Sequence, residues 1–348
     1  MESNKEHGML DLLIRPGFCV QNYQIIYVNQ AAQALLISPG TDVRELLLTG
    51  REEYAVFREG CLYLQLNIVA GGCGASVIAM EDRQFFLLDQ ESDDDALRAL
   101  ALAARELREP LTGMQLSLHQ LSQTDHNREQ LARLNRAMHQ MLRLIGNMSD
   151  AGRTAAASKR ELRDIPQVFS LILERAQTLA DQAGVSLAYQ SIPEHVMGLV
   201  DDQLLERAVL NMLSNAVKFS PRGSALHAQL TRNGRMLTFS LTDNGSGIAD
   251  NLQQTLFRRY LRQPGIEDGR FGMGLGMVMI RSAAARHGGT VLIDRPEKGG
   301  TRVSLTLTIS QDIAALHSPV MRVDYSGEQD HGLVELSDCL PLSAYYKL

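Results

Sequence analysis

The chain has 348 residues, 45% of them hydrophobic, with a formal net charge of −6 and four scattered cysteines. That length suits about two or three domains with sizeable cores, and the acidic balance without a basic stripe excludes nucleic acid as the main partner. No Cys-x-x-Cys pair or metal-ligand spacing occurs, so Cys19, Cys61, Cys73 and Cys339 read as buried thiols. The opening "MESNKEHGMLDLLIRPG" has no signal-peptide core, and no run approaches the roughly 20 apolar residues of a membrane span. A cytoplasmic location without a membrane span is the expectation.

Residues 8–90 alternate strand-like runs ("FCVQ", "QIIYVN", "LYLQLNIVA", "ASVIAM", "QFFLLD") with Gly-bearing turns. A helix is predicted at "NQAAQALLI" with Asn29 as its N-cap. Another is predicted at "TDVRELL", where Asp42 and Glu45 have capping-box spacing. These elements predict a small α+β domain.

A helical hairpin is predicted over 92–151. Ser92 and Asp93 to Asp95 place caps and negative charge at its start. Leu97, Leu100, Ala104, Leu107, Leu111, Met114, Leu118 and Leu121 recur at three-four spacing. After the polar turn "SQTDHNRE", Leu131, Leu134, Met138, Met141, Ile145 and Met148 do the same. Two antiparallel helices bury such seams by pairing with a second copy in a four-helix bundle, so a homodimer through 92–151 is expected. Pro110 interrupts the first helix at a cost of roughly 3 kcal/mol, which marks a kink or a working site. "DAGRTAAASKR" reads as a linker.

Residues 160–310 are mixed α/β. Leu226, Ala228 and Leu230 alternate ahead of Asn233-Gly234, and Leu237, Phe239 and Leu241 after it, predicting a hairpin with a type I′ turn. A second hairpin is predicted around Glu297 to Gly300, and the tail 311–348 carries no assignable chemistry.

Three constellations carry chemistry. In "DDQLLERAVLNMLSNAVKFSP", Leu205, Val209, Met212 and Ala216 form one helix face. Arg207, Asn211, Asn215 and Lys218 form the opposite one, either a solvated polar face or a column of amide oxygens and a phosphate-seeking cation. In "TDNGSGI", Asp243 ends a strand before Gly245 and Gly247: a plain turn, or a carboxylate accepting from the amine of a base. In "RFGMGLGMVMI", Gly272, Gly274 and Gly276 lead into a helix whose N-terminus suits phosphates. The last is neither a P-loop nor a Rossmann fingerprint.

In this order, with "LFRRY" between the last two, these stretches resemble the N, G1, F and G2 boxes of the GHKL ATPase superfamily. Within it they resemble the ATP-binding domain of bacterial two-component sensor histidine kinases. The resemblance implies an α/β sandwich that binds ATP with Mg²⁺. It assigns Asn215 to the metal, Asn211 and Lys218 to the phosphates, and Asp243 to adenine. Gly245 and Gly247 would shape the adenine pocket, and Gly272, Gly274 and Gly276 would lie along the phosphates in a mobile lid anchored by Phe257 to Tyr260. The hairpin resembles the dimerisation and phosphoacceptor domain of the same kinases, whose motif reads roughly His-Glu-Leu-Arg-Thr-Pro-Leu. The whole is then a multidomain α+β chain. A PAS-like sensor domain (8–90) precedes the antiparallel hairpin (92–151), the GHKL sandwich (160–310) and the tail (311–348).

Here the motif reads Arg105-Glu106-Leu107-Arg108-Glu109-Pro110-Leu111, with Arg105 at the place of the acceptor histidine. Phosphorylation needs a neutral imidazole lone pair, oriented by a carboxylate that Glu106 supplies. A guanidinium stays protonated and offers only donors, so no phosphate is expected on Arg105. Glu109 stands where the family's Thr or Asn orients water for dephosphorylation, which puts that reverse reaction in doubt as well. His119 lies about 21 Å further along the helix, His126 falls in the turn, and His139 is expected as a solvated residue of the second helix. Two functions remain open: a nucleotide-binding homologue degenerate in autophosphorylation, and an active kinase using His119 or another histidine. The partner would be a response-regulator receiver domain or another kinase. A chaperone-type or mismatch-repair-type ATPase is disfavoured by the short heptad hairpin and the lack of a following transducer domain.

Overall fold

Apolar alternation near the N-terminus builds the expected strands, β1 (Gly17–Gln21) and β2 (Gln24–Val28), joined by Asn22 and Tyr23. Both turn residues are left-handed (φ 50° and 66°), and the Tyr23 ring is held edge-on to Tyr54 and beneath the Arg44 guanidinium. Helix α1 (Gln30–Gln33) starts at Asn29, whose Oδ1 accepts from the backbone N of Ala32 and of Gly17 at 3.0 Å. It ends well short of the predicted stretch, and Leu36 just beyond turns left-handed (φ 61°). Helix α2 (Val43–Leu46) is capped by Asp42, which accepts from Arg44 N and is gripped by the Arg44 guanidinium. That grip replaces the expected partnership with Glu45. Helix α3 (Arg51–Val56) precedes β3 (Cys61–Ile68), β4 (Gly71–Met80) and β5 (Arg83–Leu88). Phe18 stacks on Phe86 at 4.7 Å between centroids, and Tyr54, Leu64 and Leu66 complete this core.

The computed structural model of the protein describes residues 10, 15–69, 71–80, 82–89, 110, 113–114, 127–151, 160–247, 275–297, 299–309 and 330–345. Pro110 is helical and buried. The rest of the first predicted hairpin helix, with Arg105, Glu106, Glu109 and His119, lies outside the described residues except for 113–114, as does His126 of the predicted turn. The second is α4 (Asn127–Ala151). Along it Ala132, Ala137, His139 and Arg143 are buried, whereas Leu131, Leu134 and Met141 are only partly covered and Met138 is exposed. The expectation of a solvated His139 is thus corrected: its ring packs against Tyr345, and Nδ1 lies 2.8 Å from the Asn135 carbonyl.

The remaining elements are β6 (Glu161–Asp164), α5 (Ile165–Gln182), β7 (Ser186–Gln190), β8 (Met197–Val200), α6 (Asp202–Phe219), β9 (Ala225–Asn233) and β10 (Met236–Thr242). After them come α7 (Leu275–Arg286), β11 (Val291–Asp294), β12 (Arg302–Thr308) and α8 (His331–Glu335), with a 3₁₀ turn at Leu342–Tyr345. Phe169 of α5 stacks on Phe239 of β10 at 4.7 Å, at the centre of a core shared with Leu205, Val209 and Met212 of α6. The β9–β10 loop sits one residue later than predicted, since Asn233 pairs with Met236 and leaves Gly234 and Arg235 in the turn. Only Gly234 of the two has positive φ (57°). A type I′ turn needs two left-handed residues, and a left-handed arginine carries a steric cost that glycine escapes, so that expectation fails. The second hairpin forms where predicted, with Asp294 paired to Arg302.

Among the described residues one sheet of ten strands runs in the order β2-β1-β5-β4-β3-β11-β12-β10-β9-β7, and β6 and β8 form a separate ribbon. The two halves join where β3 pairs antiparallel with β11, Leu62 opposite Leu292. Each strand would otherwise present an open edge of unpaired backbone groups. Side chains reinforce the seam. Arg281 of α7 donates to Asp89 Oδ2 at 2.7 Å and lies 4.4 Å from the centroid of the Tyr63 ring, whose hydroxyl donates to the same carboxylate at 2.7 Å. Arg281→Ala should therefore cost about 2–3 kcal/mol in urea denaturation, the worth of a charged hydrogen bond plus a cation–π contact. A loss below about 0.5 kcal/mol, the range of an ordinary surface change, would show that the seam does not depend on it.

Candidate nucleotide site

Helix α6 positions the first set of groups. Asp201 caps it by accepting from Leu204 N at 3.1 Å, and Leu205, Val209, Met212 and Ala216 bury one face as predicted. The opposite face is not solvated, because Arg207 and Asn211 are buried and Asn215 and Lys218 are half-covered. The cover comes from α4 and from residues after 330. Arg207 Nε donates to Glu335 Oε1 at 3.1 Å, and Asn211 Nδ2 donates to Glu335 Oε2 at 3.0 Å and to the Arg207 carbonyl at 2.9 Å. Arg143 of α4 donates to Asn211 Oδ1 and Ser214 Oγ, both at 3.3 Å. Its Nε lies 3.4 Å from Glu335 Oε2, and its Nη1 donates to Asp338 at 2.5 Å. Lys218 Nζ donates to Asp338 Oδ2 at 2.7 Å.

These charges perturb one another. Burial alone would raise the Asp338 pKa, but Arg143 and then Lys218 outweigh it and hold the carboxyl well below the usual carboxylate range. Burial, then the neighbouring Arg143, pushes the Lys218 ammonium down. The result is a closed patch in which Arg143, Arg207, Lys218 and the Asn211 amide surround the Glu335 and Asp338 carboxylates.

Two further elements meet the ends of this column. Asp243 follows β10 directly and is only 7% exposed; its Oδ1 accepts from Gly245 N at 2.8 Å and Thr301 N at 3.0 Å. Burial pushes its pKa up, against those two backbone donors. A Cβ on Gly245 would lie 2.5 Å from the carbonyl oxygen of Phe219, the last residue of α6. The glycine thus seats the Asp243 turn about 6 Å, one helical turn, beyond Asn215. Gly247 is left-handed (φ 78°) beside the Arg295 guanidinium. At the other contact, a Cβ on Gly276 would lie 3.1 Å from Asn211 Oδ1 and 3.6 Å from Asn215 Nδ2. The first turn of α7 therefore meets the amide column edge-on, and Asn215 Nδ2 lies 3.8 Å from Met277 Sδ.

Asn211, Asn215 and Gly276 thus meet at one contact, with Lys218, Gly245 and Asp243 toward the Phe219 end of the same helix. Gly272, Gly274 and Phe257 lie outside the described residues, as do Arg105 and Glu106. Arg143, Glu335 and Asp338 escaped sequence reasoning. The nearest signal was the pair of acids three residues apart in "LVELSDCL", a spacing too common on helices to single out. The donor set suits a nucleotide at the Asp243 end. For Mg²⁺ the described residues offer no cluster of three or more His, Cys, Asp or Glu. The Asn215 amide oxygen would hold a metal only together with phosphates, the usual manner for this ion. No helix of the described residues is long and apolar enough to cross a membrane. All four cysteines are thiols without a disulfide, and Cys73 and Cys339 are only half-buried, not buried as expected.

Residues 200–311 match the family model described as histidine kinase-, DNA gyrase B- and HSP90-like ATPase, and residues 96–156 match the His Kinase A (phospho-acceptor) domain. The sensor-like histidine kinase SenX3 of Mycobacterium tuberculosis is 26% identical over 258 residues, covering 70% of this chain. The chain spans 62% of the length of that relative. The adaptive-response sensory kinase SasA of a Synechococcus strain is 30% identical over 238 residues, covering 64% of this chain and 61% of its own. The solved histidine kinase ThkA in complex with the response regulator protein TrrA aligns with a TM-score of 0.45 and 12% identity, over 87% of this chain and 98% of its own. The matched ATPase model supports ATP use. The two matched stretches thus resemble an ATPase domain and a phospho-acceptor domain, and the relatives named are histidine kinases.

Proposed function

We propose that the chain binds MgATP at the meeting point of α6, the Asp243 turn and α7, and acts as a dimeric sensor-kinase homologue degenerate in autophosphorylation. The observation that carries the nucleotide reading is the convergence of Asn211, Asn215 and Gly276 at one contact, with Asp243 a turn away. In this reading Asp243 accepts from the adenine amine and Asn215 ligates the metal. Lys218, Asn211 and the backbone N–H groups at the start of α7 receive phosphate, with Gly272 and Gly274 alongside. When bound, the metal would neutralise phosphate charge.

Degeneracy follows from the chemistry of Arg105, which has no lone pair to attack a phosphorus atom, whatever orientation Glu106 imposes. Dimerisation through 92–151 is supported by the His Kinase A match and by Leu131, Leu134, Met138 and Met141, which a single chain leaves incompletely covered. A PAS-like role for residues 8–90 is supported by the strand–strand–helix opening and by the run of five antiparallel strands, β2-β1-β5-β4-β3, at one end of the sheet. Its attachment to α7 through Arg281 offers a direct route to the nucleotide helix. The partner in this reading is a receiver domain or another kinase.

Incubation with γ-labelled ATP and Mg²⁺ tests this. The wild type should take up no acid-labile label, and Arg105→His should gain it. Label on the wild type would overturn degeneracy in favour of a non-standard acceptor, which its loss in His119→Ala would locate.

A further inference from the structure

We propose that residues 330–345 are a displaceable plug, in which the carboxylates of Glu335 and Asp338 occupy the places of nucleotide phosphates until MgATP expels the segment. This rests on the nucleotide reading above. The argument begins with the chemistry of the pairs. A carboxylate and a phosphate both present oxygens to guanidinium, ammonium and amide donors, and the same forked geometry serves either. Glu335 is fully buried and takes its donors from Arg207, Asn211 and Arg143. Asp338 takes Lys218 and Arg143. Asn211 and Lys218 are the two residues the reading assigns to phosphate, and in the structure neither is available to it. The Asp243 end, by contrast, has no contact with the segment among the hydrogen bonds that hold its carboxylate.

The segment is also built to dock as a unit. Asp330 caps α8 through Gly332 N and Leu333 N, and Leu336, Leu340 and Tyr345 are buried beneath it. It fastens α4 at the same time. Asn135 Nδ2 donates to the Tyr345 carbonyl at 3.3 Å, Arg136 Nε to the Ser337 carbonyl at 2.9 Å, and Gln140 Nε2 to Asp338 at 3.3 Å. One short element therefore fills the phosphate end and clamps the second hairpin helix to the ATPase body. Lifting it removes these links from α4 and the carboxylates from the phosphate donors, leaving α4 tied to α6 through the Arg143 bonds to Asn211 and Ser214. Nucleotide occupancy and hairpin mobility are then coupled, because a ligand that binds only the lifted state shifts the population toward it.

The test uses the full chain and a non-hydrolysable ATP analogue with Mg²⁺. Calorimetry should show Glu335→Gln/Asp338→Asn binding at least about tenfold tighter than the wild type, the gain expected when a competing intramolecular state is removed. The amide side chains keep acceptors for the guanidinium groups, and a thermal melt checks the fold of the variant. Hydrogen exchange on the wild type needs no substitution. Saturating analogue should speed exchange of the 331–345 amides at least about tenfold, since an undocked segment of this length loses its tertiary protection. Equal affinities with unchanged protection at saturation would overturn the plug and leave the nucleotide site standing. Absence of binding in both proteins would overturn the nucleotide site itself, and the plug with it.

Discussion

Asp243→Ala should lower the affinity for MgATP by about 10- to 100-fold. The substitution removes a charged acceptor, worth about 1.5–3 kcal/mol, and leaves Gly245 N and Thr301 N without their partner. With about 1.4 kcal/mol per tenfold in affinity, the lost acceptor alone amounts to about one to two decades. Asp243→Asn keeps an oxygen for the two backbone donors, so its loss should be smaller, about tenfold. Calorimetric titration with MgATP measures both, and unchanged affinity in the alanine variant would remove Asp243 from the site. The pH dependence has a definite sign. Burial raises the Asp243 pKa, so its ionised form is disfavoured in the free protein, and a donating ligand favours that form. Affinity should then fall on acidification, starting at a higher pH than an exposed aspartate would give.

Phe169→Ala should destabilise the body built on α5 and β10 by about 3–5 kcal/mol, the range for truncating a buried aromatic side chain. Phe169 is fully buried and stacks on Phe239 with an interplanar angle of 17°. The alanine leaves a cavity between α5 and the sheet and also forfeits the ring pair, itself worth about 0.5–1.5 kcal/mol. Phe169→Leu, which fills most of the space, should lose much less. Urea denaturation with a common slope for all three proteins makes the comparison. A cost below about 1 kcal/mol for the alanine variant would mean that the site can collapse, contrary to its place at the centre of the core.

Elements with strong periodicity were legible before any coordinates. Leu226, Ala228 and Leu230 point inward on β9 because strand side chains alternate, and Leu205, Val209 and Met212 share a face because a helix repeats every 3.6 residues. Asp243 could be picked out at a strand end followed by glycines, and it sits there, buried. The column of Arg207, Asn211, Asn215 and Lys218 was legible as a column, but not what covers it. A polar helical face has the same pattern whether it meets water or a complementary set of charges. His139 misled for the same reason: its position on α4 is local information, while its burial depends on Tyr345, far along the chain.

From the residues alone came the strands of residues 17–88, the two hairpins around Gly234 and Gly299, and the grouping of chemistry-bearing side chains along α6. These depend on local backbone preference, side-chain period and the intrinsic chemistry of each residue type. Only the tertiary structure joined β3 to β11, because the backbone groups that pair there are common to every residue and leave no mark in a sequence. Only it set Glu335 and Asp338 against Arg143, Arg207 and Lys218, since electrostatic partners are chosen by proximity in space, which chain separation does not encode.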